Sequence, residues 1–228
     1  MTNREDERII EGMERQFAAR EAVLAGAERL GWKSGFGTEG AMGLLEIRQP
    51  LVGFLTSATL IDSGSVVDVS EWAMPLIEPE VAVRLEAEVG PGASPEQAAE
   101  AIGAVAPAIE LVDLGSIDSV ADILAGNIFH RRVILGEFQA LGDSALDAVR
   151  IAVTANGTKG EPSDPRQVIG DLGAVVAALA DQADLAGARF EPGDIVITGA
   201  AVPPAPLQSG DSFEAELSGG SGIAVKIA

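Results

Sequence analysis

The stretch from Ile77 to Leu85 alternates strictly: Ile77, Pro79, Val81, Val83 and Leu85 fall on one face of an extended strand, and Glu78, Glu80, Ala82 and Arg84 on the other. A strand with one apolar face has to lie on a core, so the chain needs a sheet with something packed beneath it. Pro79 cannot donate to a ladder, which predicts an edge, a bulge or pairing through its carbonyl alone at that point. The polar face carries two carboxylates two residues apart, about 6 to 7 Å along the backbone. That is close enough to share one cation, although such a pair taken alone also describes a solvated strand face.

Around this strand the pattern predicts an α+β chain. Ile9, Ile10, Met13, Phe17, Leu24 and Leu30 recur at three- and four-residue steps, which predicts an amphipathic helix from Asn3 to Leu30, ended by Gly31. Strand material is expected at Trp32 to Phe36 and Gly53 to Ile61, with a short helix near Gly40 to Ile47. Ser94-Pro95-Glu96-Gln97 is a capping-box start for a helix to about Val105, followed by a buried strand at Pro107 to Val112. A short helix at Asp118 to Leu124 precedes strands at Val133 to Leu135 and Arg150 to Thr154, the latter closed by an Asn156-Gly157 turn. A helix from Asp164-Pro165 to about Asp184 precedes three strands, Asp194 to Thr198, Ser212 to Leu217 and Ile223 to Ile227. The expected organisation is an N-terminal helical arm and small subregion over 1–48 and a mixed β-fold over 49–228, the two forming one structural unit.

Composition narrows the chemistry. With 15 Lys+Arg against 35 Asp+Glu, the formal charge of −20 disfavours nucleic acid or an anionic membrane as a partner. The absence of cysteine rules out disulfides, thiolate nucleophiles and zinc-thiolate sites, and a lone histidine, His130, rules out polyhistidine sites. A metal held here would be held by carboxylates, which suits Mg²⁺ or Mn²⁺. Glu110 stands out because it sits inside the apolar run Pro107-Ala108-Ile109-Glu110-Leu111-Val112, where a lone charge is costly; it calls for an arginine partner or a metal. No segment reaches the roughly 18 apolar residues of a membrane span, and the charged N-terminus does not resemble a signal peptide, so a cytoplasmic protein is expected.

Five runs occur in a telling order: Gly31-Trp32-Lys33-Ser34-Gly35; Glu78-Pro79-Glu80; Pro107 to Asp113; Asn127 to Gly136, ending Val133-Ile134-Leu135-Gly136; and Gly193-Asp194-Ile195-Val196-Ile197-Thr198-Gly199, followed by Gly210-Asp211. This ordered set resembles the fumarylacetoacetate hydrolase superfamily over nearly the whole chain, and most of all its 2-keto-4-pentenoate hydratase and 4-oxalocrotonate decarboxylase branch. The resemblance implies a mixed β-sheet roll, a Mg²⁺ or Mn²⁺ held by Glu78, Glu80 and Glu110, and 2-oxo or 2-hydroxydienoic acids as substrates in aromatic catabolism. It also implies a homo-oligomer, and a lysine beside the substrate at Lys33, able to move a proton or steady negative charge. The reaction so implied is hydration of a 2-hydroxypenta-2,4-dienoate-like acid to a 4-hydroxy-2-oxo acid; decarboxylation, acylpyruvate C–C hydrolysis on the same metal platform, or a non-catalytic relative are the alternatives.

The chain departs from the branch where proton handling is concerned. Pro50-Leu51-Val52-Gly53 replaces Pro-Asp-x-Gly, so the acid that partners the lysine is a leucine. Ala125-Gly126-Asn127-Ile128-Phe129-His130 replaces Ala-Asp-Asn-x-Ser-Ser, and a tryptophan of the later helix is missing between Gly170 and Ala180. His130 is the candidate to supply the lost acid–base capacity, the competing reading being a histidine packed beside Phe129. Asn127, Thr198 and Gly199 are candidate substrate contacts, with a plain turn as the alternative at Thr198-Gly199. Arg131 and Arg132 could meet a substrate carboxylate or simply pair locally.

Overall fold

The structure, a computed structural model describing residues 3–141 and 146–228, runs through α1 (Glu7–Leu24), β1 (Arg29–Gly35), α2 (Glu39–Leu45), β2 (Leu51–Thr56), β3 (Ser65–Val67), β4 (Pro75–Leu85), α3 (Pro95–Glu100) and β5 (Ile102–Asp113). It continues through α4 (Val120–Ala125), β6 (His130–Leu135), β7 (Gln139–Ala140), β8 (Ile151–Ala155), β9 (Thr158–Lys159), α5 (Arg166–Ile169), α6 (Leu172–Ala183), β10 (Ile195–Ala200), β11 (Ala205–Pro206), β12 (Ser212–Leu217) and β13 (Ile223–Ile227). The architecture is α+β. One mixed sheet has the order β2-β1-β10-β4-β5-β6, with β11 added to β4 and β7 to β5; the other has the order β3-β13-β12-β8-β9. The parallel pairs are β1 with β10 and β3 with β13.

β4 is flanked by β10 and β5, so Pro79 does not mark an edge. It is accommodated where β10 slips register between Ile197 and Ala200, and its carbonyl accepts from the Ala201 N–H at 2.9 Å. The apolar face of β4 joins the main core through Ile77, Val81, Val83 and Leu85. On the opposite face Ala82, Ala106, Ala108, Val133 and Ile197 form a second, smaller cluster, and the carboxylates of β4 share this face.

The first helix ends at Leu24, short of Leu30, because Arg29 and Leu30 already belong to β1, which is paired on both sides. The expected helix to Val105 stops at Glu100 for the same reason: Ile102 to Val105 extend β5 against β4. The expected helix 165–184 is two helices, broken at Gly170 (φ 80°), with Asp171 capping α6 through the Ala174 N–H at 2.8 Å. The Asn156-Gly157 hairpin turn is present with both residues at positive φ, 50° and 79°. No helix among the described residues is long and apolar enough to cross a membrane.

The outer edge of β2 is paired by side-chain amides. Gln16 Nε2 donates to the Val52 carbonyl at 3.1 Å, and the Val52 N–H donates to Gln182 Oε1 at 2.5 Å. Asn127 takes both backbone groups of Phe54, donating to its carbonyl at 2.9 Å and accepting from its N–H at 2.8 Å. At the far end of the same sheet, residues 59–61 close β6: the Val133 N–H donates to the Thr59 carbonyl and the Ile61 N–H to the Val133 carbonyl, each at 3.0 Å.

Candidate active site

The antiparallel register of β4 and β5 sets Glu78 directly opposite Glu110, with Glu80 two residues along the same face. Carboxylate oxygens of all three lie within 4.8 Å of one another. Like charges directly across a strand pair repel, and here Glu80 and Glu110 are fully buried while Glu78 is partly so. Burial and the neighbouring Glu110 push Glu78 up to about 7, with Lys33 opposing; burial, Glu110 and Glu78 raise Glu80 well above the usual carboxylate range. Glu110 goes the other way. Its burial also pushes upward, but the Lys33 charge and the His130 hydrogen bond outweigh it and hold the group below its ordinary value.

Each buried carboxylate commits one oxygen to the protein. Glu80 Oε2 accepts from the Gly199 N–H at 2.7 Å, and Oε1 has no partner among the described residues. Glu110 Oε1 accepts from Lys33 Nζ and lies 2.6 Å from His130 Nδ1, while Oε2 has no partner among the described residues. Two orphaned, buried carboxylate oxygens beside a third carboxylate form an all-oxygen donor set that fits a hard divalent cation.

Lys33 is 1% exposed on β1 and reaches this cluster because its register partner on β2 is Gly53. A methyl group on residue 53 would lie 2.7 Å from Lys33 Cγ. Besides Glu110, Lys33 Nζ donates to the Ile128 carbonyl at 3.2 Å. Two of its three protons are thereby placed, leaving one for a ligand.

The Ile128 carbonyl is presented by an unusual turn in which Asn127, Ile128 and Phe129 all have positive φ, 52°, 53° and 61°. Left-handed backbone costs a non-glycine residue about 1–2 kcal/mol, most for a β-branched one, so surrounding contacts must hold this turn. The Asn127 amide, engaged with Phe54, anchors one side, and the Phe129 carbonyl accepts from the Asp113 N–H at 3.1 Å on the other. His130 then opens β6 with its ring under Glu110. Burial lowers its pKa despite the carboxylate, so the neutral ring predominates at neutral pH. An ionised Glu110 can only accept, which puts a ring proton on Nδ1, while Nε2 lies 2.8 Å from Thr59 Oγ1, whose hydroxyl also reaches the Thr56 carbonyl at 3.3 Å.

Above the cluster lies a cavity of 410 Å³, lined at one end by Lys33, Ser34, Glu78 and Gly199 and elsewhere by Thr38 and apolar groups that include Phe36, Leu76, Val112, Leu114, Phe129 and Val168. Of the candidate residues, Glu78, Lys33 and Gly199 line it directly, and Glu80 and Glu110 sit beneath. Asn127, Thr198 and His130 do not line it. Thr198 donates its hydroxyl to the Val81 carbonyl at 2.9 Å, and His130 lies behind Glu110. Arg131 pairs with Asp113 at 3.0 Å, and Arg132 turns to the Arg131 carbonyl. Leu51, at the position of the branch's acid, is fully buried in the core. Sequence reasoning missed Thr59 and the Ile128 carbonyl; neither a lone threonine nor a backbone group in a left-handed turn carries a pattern to find it by.

The model of the fumarylacetoacetate (FAA) hydrolase C-terminal family matches residues 36–227. The chain belongs to this family. Among curated FAA hydrolase-type relatives, a 4-oxalocrotonate decarboxylase of a Pseudomonas species is 26% identical over 198 residues, 86% of this chain and 77% of that protein. A 2-hydroxyhexa-2,4-dienoate hydratase of Comamonas testosteroni is 28% identical over 203 residues, 86% of this chain and 76% of that protein. Among solved FAA hydrolase-type structures, 4-oxalocrotonate decarboxylase from Pseudomonas putida G7, complexed with magnesium and adipate, superposes with a TM-score of 0.86 at 25% identity, covering 95% of this chain and 85% of that one.

Proposed function

We propose that this protein is a divalent-metal-dependent lyase that hydrates 2-hydroxypenta-2,4-dienoate-like acids to 4-hydroxy-2-oxo acids. The observation that carries the reading is the pair of orphaned oxygens on Glu80 and Glu110 beside Glu78, set under an apolar cavity. Glu78, Glu80 and Glu110 would hold Mg²⁺ or Mn²⁺, and the magnesium in the Pseudomonas putida relative supports that assignment. When bound, such an ion supplies Lewis-acid stabilisation of the enolate of a 2-oxo acid.

The remaining work falls to the chain's own groups. Lys33 directs its free N–H at the acid and holds or delivers a proton beside it, while Glu110 and the Ile128 carbonyl fix the ammonium in place. His130, clamped between Thr59 and Glu110, orients the carboxylate from behind. The apolar wall excludes water from all but the reacting end. Asn127 supports the turn that presents the Ile128 carbonyl, and Gly199 positions Glu80.

Decarboxylation is the second reading, favoured by the similarity to the decarboxylase bound to adipate, a diacid. Against it stands the cavity: among its described lining residues Lys33 is the one cation, so a second substrate carboxylate would find no second positive charge, only hydroxyls of Ser34 and Thr38 among apolar groups. Incubation with 2-hydroxypenta-2,4-dienoate and Mg²⁺ tests the proposal. Metal-dependent loss of the dienol with formation of a 4-hydroxy-2-oxo acid and no CO₂ supports hydration, whereas CO₂ release from an oxalocrotonate and no hydration would replace it with the second reading. Residues 1–48 and 49–228 are proposed to act as one unit, because β1 brings Lys33 into the sheet between β2 and β10. The proposed setting is a cytoplasmic homo-oligomer acting on a small-molecule acid.

A further inference from the structure

Ser34 follows Lys33 on β1 and is 1% exposed, yet its hydroxyl has no hydrogen-bond partner among the described residues. A buried hydroxyl left unpaired is unfavourable, and a folded chain seldom keeps one unless something outside the chain satisfies it. The space beside Oγ is walled by two glycines. A methyl group on Gly37 would lie 3.5 Å from Oγ and one on Gly199 3.7 Å, both ordinary contact distances, so Oγ sits directly beside both backbones. Ser34, Gly37 and Gly199 all line the cavity, and the Gly199 N–H is the group that fixes Glu80. The unpaired hydroxyl therefore lies beside Gly199, the cavity residue whose N–H reaches the carboxylate cluster.

We propose that Ser34 is a substrate contact whose hydroxyl donates a hydrogen bond to an oxygen at the carboxylate end of the bound acid. The inference rests on the functional reading above and adds a specificity-determining residue to it. A hydroxyl in this recess discriminates between ligands that place an oxygen there and ligands that place carbon there, because only the former relieve the unpaired donor. An ordered water filling the recess permanently is the rival, and it makes a different prediction: with water as partner, the hydroxyl contributes to the ligand-free protein and nothing to acid binding.

The test pairs two measurements on wild type and Ser34→Ala: oxalate affinity in the presence of Mg²⁺ by calorimetry, and the melting temperature of the ligand-free protein. Oxalate is the probe because it carries adjacent carboxylate oxygens and no tail. The expected result is a loss of affinity on the order of tenfold to a hundredfold, the range for a hydrogen bond to a charged group. The expected ligand-free melting temperature is equal to or above that of wild type, since no hydrogen bond within the protein is lost. Unchanged oxalate affinity in Ser34→Ala, or a lowered ligand-free melting temperature, overturns the inference alone. Failure of the wild-type protein to bind oxalate with Mg²⁺ overturns the functional reading and this inference with it.

Discussion

Lys33 lies across Gly53, its antiparallel partner on β2, so closely that a methyl group at position 53 would fall 2.7 Å from Lys33 Cγ and 2.7 Å from Asn127 Oδ1. The glycine serves two neighbours at once: it gives the buried lysine a path to Glu110 and gives the asparagine access to the β2 edge. Gly53→Ala is therefore expected to displace both, destabilising the protein by about 1–3 kcal/mol through overpacking. Denaturant unfolding and turnover should fall together. Wild-type values for both would mean the lysine reaches Glu110 by another route.

Lys33→Met keeps the length of the side chain and removes the charge. Turnover is expected to drop by about 10²- to 10⁴-fold, the span associated with a positioned proton-transfer group. The rise in melting temperature on adding Mg²⁺ should persist, because the orphaned oxygens of Glu80 and Glu110 do not depend on the lysine. A variant that retains full turnover would remove Lys33 from the chemistry.

Three crowded carboxylates without a cation are a source of instability, and a cation bound only by the folded form adds stability by mass action. At a Mg²⁺ concentration about 100 times Kd the gain is ~2.7 kcal/mol. Melting in EDTA against melting in Mg²⁺ should display it, and Glu80→Gln or Glu110→Gln should abolish most of it. A melting temperature indifferent to Mg²⁺ and Mn²⁺ would argue that the cluster is not a metal site.

Asn127→Ala removes both hydrogen bonds to Phe54 and the residue type best suited to open the left-handed turn. A loss of about 1–3 kcal/mol is expected. Oxalate affinity at saturating Mg²⁺, measured below the lowered unfolding temperature, should stay within about twofold, well under the 1.4 kcal/mol of a tenfold change. A large loss of affinity without loss of stability would make Asn127 a substrate contact after all.

Asp6 caps α1, accepting from the Arg8 N–H at 3.0 Å and from the Arg8 guanidinium at 2.7 Å. That guanidinium, more than any other group, holds the carboxyl below its ordinary value of 3.8. A depressed folded-state pKa contributes stability that is complete above the unfolded value and disappears as pH falls through the folded one. Wild type should thus lose stability below about pH 4 more steeply than Asp6→Asn, in which an uncharged cap remains. Parallel acid titrations of the two, followed by far-ultraviolet circular dichroism, would show it.

Much of this was legible before the fold was known. The alternation of Ile77 to Leu85 reads as a strand because one face must be apolar, and Ser212–Leu217 and Ile223–Ile227 run as expected from their patterns. Glu110 advertised itself as a charge in an apolar run. The direct opposition of Glu78 and Glu110 did not, since register depends on which strands pair and no local pattern encodes it. Ile102 to Val105 could be read as helix until β4 claimed them as strand, a tertiary contact overriding a short-range preference. The turn at 127–129 was beyond reach for another reason: Ile128 and Phe129 are poor left-handed residues, and only the contacts around them hold them there. Ser34 reads as an ordinary strand residue, and only the fold shows that its buried hydroxyl has no hydrogen-bond partner among the described residues.

The amides of Gln16, Gln182 and Asn127 stand where another strand would otherwise bind, and residues 59–61 occupy the corresponding position at the other end. With the outward backbone groups of Val52, Phe54 and Val133 taken in this way, the two ends of the sheet offer a second chain less to pair with. Replacing the three amides by valine would convert a terminated sheet into one that can propagate, and fibrils growing from β2 are the form in which that failure would show itself.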